Sequence, residues 1–419
     1  MIIRKWAAAT SLAVATALLV TGCATGAADD EGQGASLTML ASVTPTQPKE
    51  FWEELVAPFE EEHGVEVTIV PPVGEGGVNA ALTTELAAGR GPDIVEGAFY
   101  SDGLAELLAT FDDDEWAQET PMADNFVVNG SRYQVNVGVQ PQSVVYYSKA
   151  AFEAAGIDEF PTTLDEMTDV MEKLKAAGYL PLRTAGDGWV SAGQFQAMAN
   201  PSLFDPNKHW FAARNEGEVT FAGSAYETFF EQWKEWIDLG YIDPNALGVS
   251  YEQGQTDFLE GRAGMYVMGA WFTAVAEGTD QEDEFGAFSV PAMNEDGLYP
   301  TPMTATPAGA YMVFKGENEA VAKELAQYLT NDPAAIEAQL TANGNYRPGF
   351  DREVSSLGAE VGELLNNAPY FVPPAQGYGS DLPPDGFNPE FYTTVERIYL
   401  GDSPKQIVDS LDEWWDSQP

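Results

Sequence analysis

The sequence predicts an α/β fold, and three observations carry that reading. Strand and helix patterns alternate near the start of the fold: residues 37–41, 66–70 and 93–97 read as short apolar strands, with helices over 49–62 and 78–88 between them. Such alternation gives a parallel sheet with helices on its faces. The stretch Phe258-Leu-Glu-Gly-Arg-Ala-Gly-Met-Tyr-Val-Met-Gly-Ala-Trp271 then closes a helix over 251–260, stops it at Gly261, runs a buried strand over 263–268 and starts a new helix near Trp271. Gly269 lets the chain turn at the carboxyl end of that strand, where open α/β sheets place ligands, so Trp271 is expected to stand in a crevice. Core packing is the alternative for that indole. The chain has 419 residues; a 22-residue leader leaves 397, enough for two or three domains with sizeable cores.

The leader is read from residues 1–22. Arg4 and Lys5 give a positive start, 13–20 is apolar, and Val20-Thr-Gly-Cys23 is a small-residue cleavage site. The segment is short for a membrane span. It resembles the lipobox of bacterial lipoproteins, which implies that Cys23 becomes the acylated N-terminus. Cys23 is the sole cysteine, so no disulfide can form within the chain and a cysteine nucleophile finds no support. Residues 23–35, small, Gly-rich and acidic, read as a flexible tether. No later stretch approaches 18 uninterrupted apolar residues, so attachment to a membrane would be by lipid alone.

Sixty-six acidic residues stand against 19 basic ones, and loss of Arg4 and Lys5 brings the balance to 17 − 66 = −49. No basic face for nucleic acid can be assembled from this composition, and a neutral ligand suits the surface better than an anion. The acidic runs at 60–62, 112–115 and 282–284 read as solvated faces rather than metal sites.

The elements follow in order. After the first strand, Ser42-Val-Thr44 opens a polar loop at its carboxyl end. The helix over 49–62 places Phe51, Trp52, Leu55, Val56 and Phe59 on one face, with Pro58 expected to kink it or end it early. Gly89-Arg-Gly-Pro92 precedes the third strand; it is no phosphate loop, because it does not open a helix after a strand. Phe99-Tyr100-Ser101 falls at the next ligand-facing edge, with Ser101 or Asp102 capping a helix to residue 109. Residues 131–139 and 142–147 form an extended stretch interrupted by Pro141. Thr163 with Glu166 makes a capping box for a helix ending near Gly178. Asp187-Gly-Trp189 projects an acid and an aromatic from a loop, the pairing that sugar hydroxyls and C–H faces require. A loop anchor packed on its own surroundings is the alternative for Trp189. The helix over 221–239 carries a wide apolar stripe of Tyr226, Phe229, Phe230, Trp233, Trp236 and Ile237 and reads as core. Strands over 285–291 and within 301–314, a helix over 317–329, and terminal helices over 389–400 and 404–415 complete the chain.

The 258–271 segment resembles the corresponding part of extracellular solute-binding proteins of bacterial ABC importers, within the carbohydrate-binding group related to maltodextrin-binding proteins. Gly89-Arg-Gly-Pro-Asp93, Tyr146-Tyr-Ser-Lys149, Ala155-Gly-Ile157 and Pro161-Thr-Thr-Leu-Asp-Glu166 fall in the order that family shows. The resemblance implies a two-lobed periplasmic-binding-protein-like fold with discontinuous domains around a hinge and the ligand cleft between them: residues 36–139 and 302–345 in one lobe, 140–301 and 346–419 in the other. Pro141 would mark a hinge. Gly344-Asn-Tyr-Arg-Pro348 would be the third crossing, with Tyr346 and Arg347 near the cleft, although Arg347 can equally pair with a surface acid.

The ligand set implied is Trp271 and Trp189 stacked on sugar faces, Asp187 with Ser42 or Thr44 at hydroxyls, Tyr100 and Arg347 at the edges, and an aromatic at Phe391 or the adjacent Tyr392. The partners implied are a sugar or oligosaccharide, the transmembrane subunits of an ABC permease, and the membrane through the lipid anchor, the chain acting as a monomer without a cofactor.

Other chemistries find less support. The chain has two histidines, His63 and His209, in different regions, with no His-x-x-x-His, cysteine cluster or Gly-x-Ser-x-Gly elbow. A glycosidase needs only two carboxylates with aromatic subsites and stands as the rival, beside a surface sugar sensor or adhesin that does not transport.

Overall fold

The computed structural model of the protein describes residues 36–44, 46–73, 77–279 and 281–418. The leader, the tether and Cys23 lie outside the described residues.

Three strands open the fold: β1 (Ser36–Leu40), β2 (Glu66–Val70) and β3 (Ile94–Glu96), the latter two pairing parallel on either side of β1. The helix Lys49–His63 between β1 and β2 buries Trp52, Leu55, Val56 and Phe59 at helical spacing and stops at Gly64, whose φ of 65° is the left-handed turn glycine tolerates. Pro58 lies inside this helix, which does not end early at it but runs on to His63. Its missing N–H frees the carbonyl of Glu54, and both residues face water, which satisfies the loss. The helix expected to run to residue 109 is also absent: a single turn, Asp102–Leu104, precedes a bridge between Leu108 and Phe314 that pulls the chain back to the sheet.

A small hairpin, β4 (Val127–Val128) with β5 (Ser131–Arg132), leads to β6 (Val135–Pro141), and only Gln142 and Ser143 separate β6 from β7 (Val144–Ser148). The chain then forms the helix Leu164–Ala176, with Thr163 and Glu166 closing the capping box, then β8 (Leu180–Arg183), β9 (Ala263–Met268) and β10 (Phe285–Ser289). It returns through β11 (Met303–Val313) and ends its sheets at β12 (Phe371–Val372).

Two mixed sheets result. One has the order β12-β11-β3-β1-β2, with β6 also on β11; the other has the order β10-β7-β9-β8. The sheets are mixed because the strands that arrive from the other half run against their neighbours: β11 is antiparallel to β3 and β6, and β7 is antiparallel to β9 and β10. Each sheet has its own core. Trp52, Phe59, Phe111, Tyr311, Leu325 and Leu329 fill the first; the aromatic stripe of helix Ala225–Asp238 fills the second, where Phe229, Phe230, Trp233 and Trp236 are fully buried against Phe195 and neighbours.

The fold is therefore α/β with two lobes; the chain passes from one sheet to the other at β6–β7 and between β10 and β11, and Tyr346 N–H donates to the carbonyl of Val139 on β6. Gln142 N–H donates to Thr304 O and Thr304 N–H to Ser143 Oγ, so two of the crossings are stitched together.

Candidate ligand-binding site

The crossing strands form the floor of a cavity of about 340 Å³. Glu96, Gly97, Gln134 and Ala310 reach it from the first lobe, and Trp189, Gln194, Met268 and Tyr392 from the second. The floor is an amide ladder. Gln142 Nε2 donates to Gln140 Oε1 (2.9 Å) and to Thr306 Oγ1 (3.0 Å), and Gln140 Nε2 donates to Asn345 Oδ1 (3.0 Å).

Trp271 and Trp189, distant in sequence, meet at this wall. Trp271 begins the helix Trp271–Glu277 directly after β9, and its ring lies against Gly269, where a Cβ would come within 1.9 Å of the indole. Trp271 Nε1 donates to the Tyr251 hydroxyl at 3.0 Å. Trp189 meets the same tyrosine edge to face at 4.7 Å and lies 6.2 Å from Trp271. Tyr251 is thus the post on which both indoles rest, and burial pushes its phenol pKa up, with the Trp271 bond opposing the shift.

Asp187-Gly-Trp189 is not a loop. Gly188 and Trp189 form the first turn of the helix Gly188–Phe204, and Asp187 turns its carboxylate to the backbone N–H of Tyr251. Asp187 does not line the cavity; it fixes the tyrosine that holds the tryptophans.

Glu96 is the residue that the sequence reading missed. It sits at the end of β3, 7% exposed, and accepts a hydrogen bond from Ser42 N–H at 3.1 Å. Burial raises its carboxyl pKa from the ordinary 4.5 to about 7, against the smaller lowering influence of the Ser42 bond. Of the described residues lining the cavity, Glu96 alone carries a carboxyl group. Glutamines supply most of the remaining polarity, and three of their buried atoms have no partner: Gln194 Oε1, Gln196 Nε2 and Gln376 Oε1. An orphaned buried amide is costly unless something else completes it, and these three bracket the same space. Gln194 and Gln196 are the two longest polar side chains in a helix that is otherwise mostly small or apolar and buried, and that contrast was the available signal.

The other expected site residues fall elsewhere. Ser42 supports Glu96 and accepts a hydrogen bond from Trp52 Nε1 through its carbonyl; Thr44 closes a local turn with Gln47. Neither lines the cavity. Tyr100 stacks on Tyr133 at 5.3 Å and faces a second, outer chamber. Arg347 donates from Nη1 to the carbonyls of Val137 (3.0 Å) and Thr330 (2.7 Å), and burial lowers its pKa. It ties its segment to β6 and to the helix ending at Asn331, and it does not reach the cavity. Phe391 is fully buried between Phe195, Tyr226 and Phe387. One step along a helix turns the side chain by about 100°, so its neighbour Tyr392 faces the cavity instead.

Two lobes with a cavity on their crossing strands, walled by paired indoles and lined with open amides, define a two-lobed binding protein. The chain belongs to the bacterial extracellular solute-binding protein family, whose pattern matches residues 44–336. It is 24% identical over 316 residues to an uncharacterised ABC transporter extracellular-binding protein of Pyrococcus horikoshii, covering 67% of this chain and 69% of that one. A maltotriose-binding protein of Pyrococcus abyssi is 27% identical over 283 residues, covering 64% of this chain and 57% of the relative. The chain spans 52% to 60% of the length of several sugar-binding periplasmic relatives that it matches. A solved structure of a chitin oligosaccharide binding protein superposes with a TM-score of 0.74 at 23% identity over 92% of this chain and 99% of that one, which establishes a common fold.

Proposed function

We propose that this protein is the extracytoplasmic solute-binding component of an ABC importer, and that its solute is a neutral sugar or oligosaccharide. The observation that carries the reading is the cavity itself, where Trp189 and Trp271 offer flat faces beside the unpartnered amides of Gln194, Gln196 and Gln376. Sugar rings need both: C–H faces that pack on aromatics and hydroxyls that complete buried polar groups. Glu96 accepts from a hydroxyl, and Tyr392 flanks the ring. The family and the names of the relatives support the same reading.

In this proposal the lobes are 36–139 with 302–345 and 140–301 with 346–419. Ligand favours the closed arrangement, because only there does it touch both lobes. Cys23 carries the lipid that holds the monomer at the outer face of the cell membrane, and the permease takes the ligand from the closed form. No catalysis is assigned. A carboxylate-pair glycosidase requires a second acid beside Glu96, and among the described residues lining the inner cavity Glu96 is the one that carries a carboxyl group.

A thermal-shift screen of residues 24–419 against mono- and oligosaccharides, with product analysis of each stabilising sugar, tests the reading. A ligand that binds only the folded state raises the melting temperature with saturation. A stabilising sugar recovered intact supports the proposal; a cleaved sugar assigns a hydrolase, and no stabilisation by any sugar overturns it.

A further inference from the structure

The inner cavity is not a closed end. Beyond it lies an outer chamber of about 1360 Å³, four times its volume, and the two share Phe99 and Gln376. Phe99 stands three residues beyond β3. Its N–H is fixed by Asn79 Oδ1 at 2.9 Å while the residue is 49% exposed, without a ring partner among the described residues. A large aromatic held in water on a fixed backbone, at the junction of two hollows, is a platform in want of a flat apolar face.

The outer chamber continues the chemistry of the inner one. Asn388 lines it and has a buried Oδ1 without a partner, while its Nδ2 donates to the hydroxyl of Tyr392, which lines the inner cavity. Gln376, at the junction, has the orphaned Oε1 already noted. Unpartnered acceptors therefore run from one chamber into the next: Gln194 inside, Gln376 at the junction and Asn388 outside.

The charge of the outer chamber restricts what can follow that line. Its charged lining comprises Arg214 against Glu216, Asp385 and Asp416, and Arg214 is already committed to Asp412 (3.2 Å) and Asp416 (2.7 Å). A chain with a carboxylate on each unit would meet uncompensated acids.

We propose, resting on the sugar reading above, that the ligand is a neutral oligosaccharide bound end-on. One terminal unit is enclosed against Trp189 and Trp271, the chain passes over Phe99 beside Gln376, and the following units lie in the outer chamber toward Asn388. The inner cavity selects the terminal unit and the outer chamber selects length.

Calorimetric titrations with graded neutral series (malto-, manno-, xylo- and N-acetylchito-oligosaccharides of one to six units) and with oligogalacturonides test this. In the series that binds, affinity is expected to rise at least tenfold from one unit to the longest chain, and oligogalacturonides are expected not to bind. Phe99→Ala should weaken the longest chain at least fivefold more than the single unit. Ser101→Trp, which fills part of the outer chamber from a half-buried position, should remove most of the gain with length. Melting curves establish that both variants fold. Equal affinity for one unit and six, or equal losses for both in Phe99→Ala, overturns end-on binding while leaving sugar capture intact. Binding of oligogalacturonides overturns the charge selection, and failure of every neutral sugar to bind overturns this proposal together with the one beneath it.

Discussion

Gly269 and Trp271 are mutually dependent: the indole of Trp271 occupies the volume that a side chain at position 269 would need, with its Cζ3 1.9 Å from where a Cβ would sit. The ring is therefore placed by an absence two residues earlier, and the hydrogen bond from its Nε1 to Tyr251 then fixes its tilt.

Gly269→Ala is accordingly expected to displace the indole while leaving the sheet intact, since the atom in the way is a side chain and not backbone. Sugar affinity should fall at least tenfold, with a stability loss of about 1–3 kcal/mol, the usual cost of overfilling a packed site. Calorimetry and a denaturant melt read the two effects separately.

Trp271→Ala should weaken binding at least tenfold without unfolding the protein, because anchor aromatics at interfaces cost about 2 kcal/mol or more on truncation. Tyr251→Phe keeps its ring but loses the acceptor for Trp271 Nε1, so a smaller loss of affinity is expected. Equal affinities for wild type and Trp271→Ala would remove the indole from the site.

Glu96 makes stability depend on pH in a defined direction. Its folded carboxyl pKa is raised from 4.5 to about 7, so ionisation opposes folding: the penalty is absent below about pH 4.5, grows between 4.5 and 7, and is complete above 7. Glu96→Gln removes the penalty and can still accept from Ser42 N–H. Its stability relative to wild type should therefore increase as pH rises from 4.5 to 7, by roughly 3 kcal/mol at most. A pH-independent difference between the two melting curves would show that the carboxyl titrates normally.

Phe391 and Tyr392 offer a test within one turn of helix. Phe391→Ala should cost about 3–5 kcal/mol of stability, because it empties a fully buried ring position. Tyr392→Ala should leave most of the stability and weaken sugar binding. The opposite assignment of the two effects would reverse the face of this helix.

Much of the architecture was legible because it rests on local signals. The apolar strand over 263–268, the Gly261 stop, the Thr163–Glu166 box and the aromatic stripe of 226–236 each announce themselves within a few residues, and each stands where expected. The helices Trp210–Asn215, Pro333–Ala342 and Ser356–Asn367 were not anticipated, being short or rich in small residues with little amphipathic contrast outside the last. The cavity was harder to read. Trp189 and Trp271 stood out as aromatics near turns, but Asp187 looked like a ligand contact because nothing in the sequence places Tyr251, 64 residues later, against its carboxylate. Glu96 was hidden among 66 acids, since its burial is decided by Ser42 and by β11, both remote in sequence.

The amides of Gln140 and Gln142, with Thr306, form the cavity floor on the strands that run from one sheet to the other, and Asn345 continues the ladder beneath it. In the proposed mechanism a solute resting on it would press on the connecting strands directly, so recognition need not be relayed through either core. Variants of these four residues should therefore alter how fast the protein captures its solute as well as how tightly, whereas variants of the two indoles should act chiefly on release.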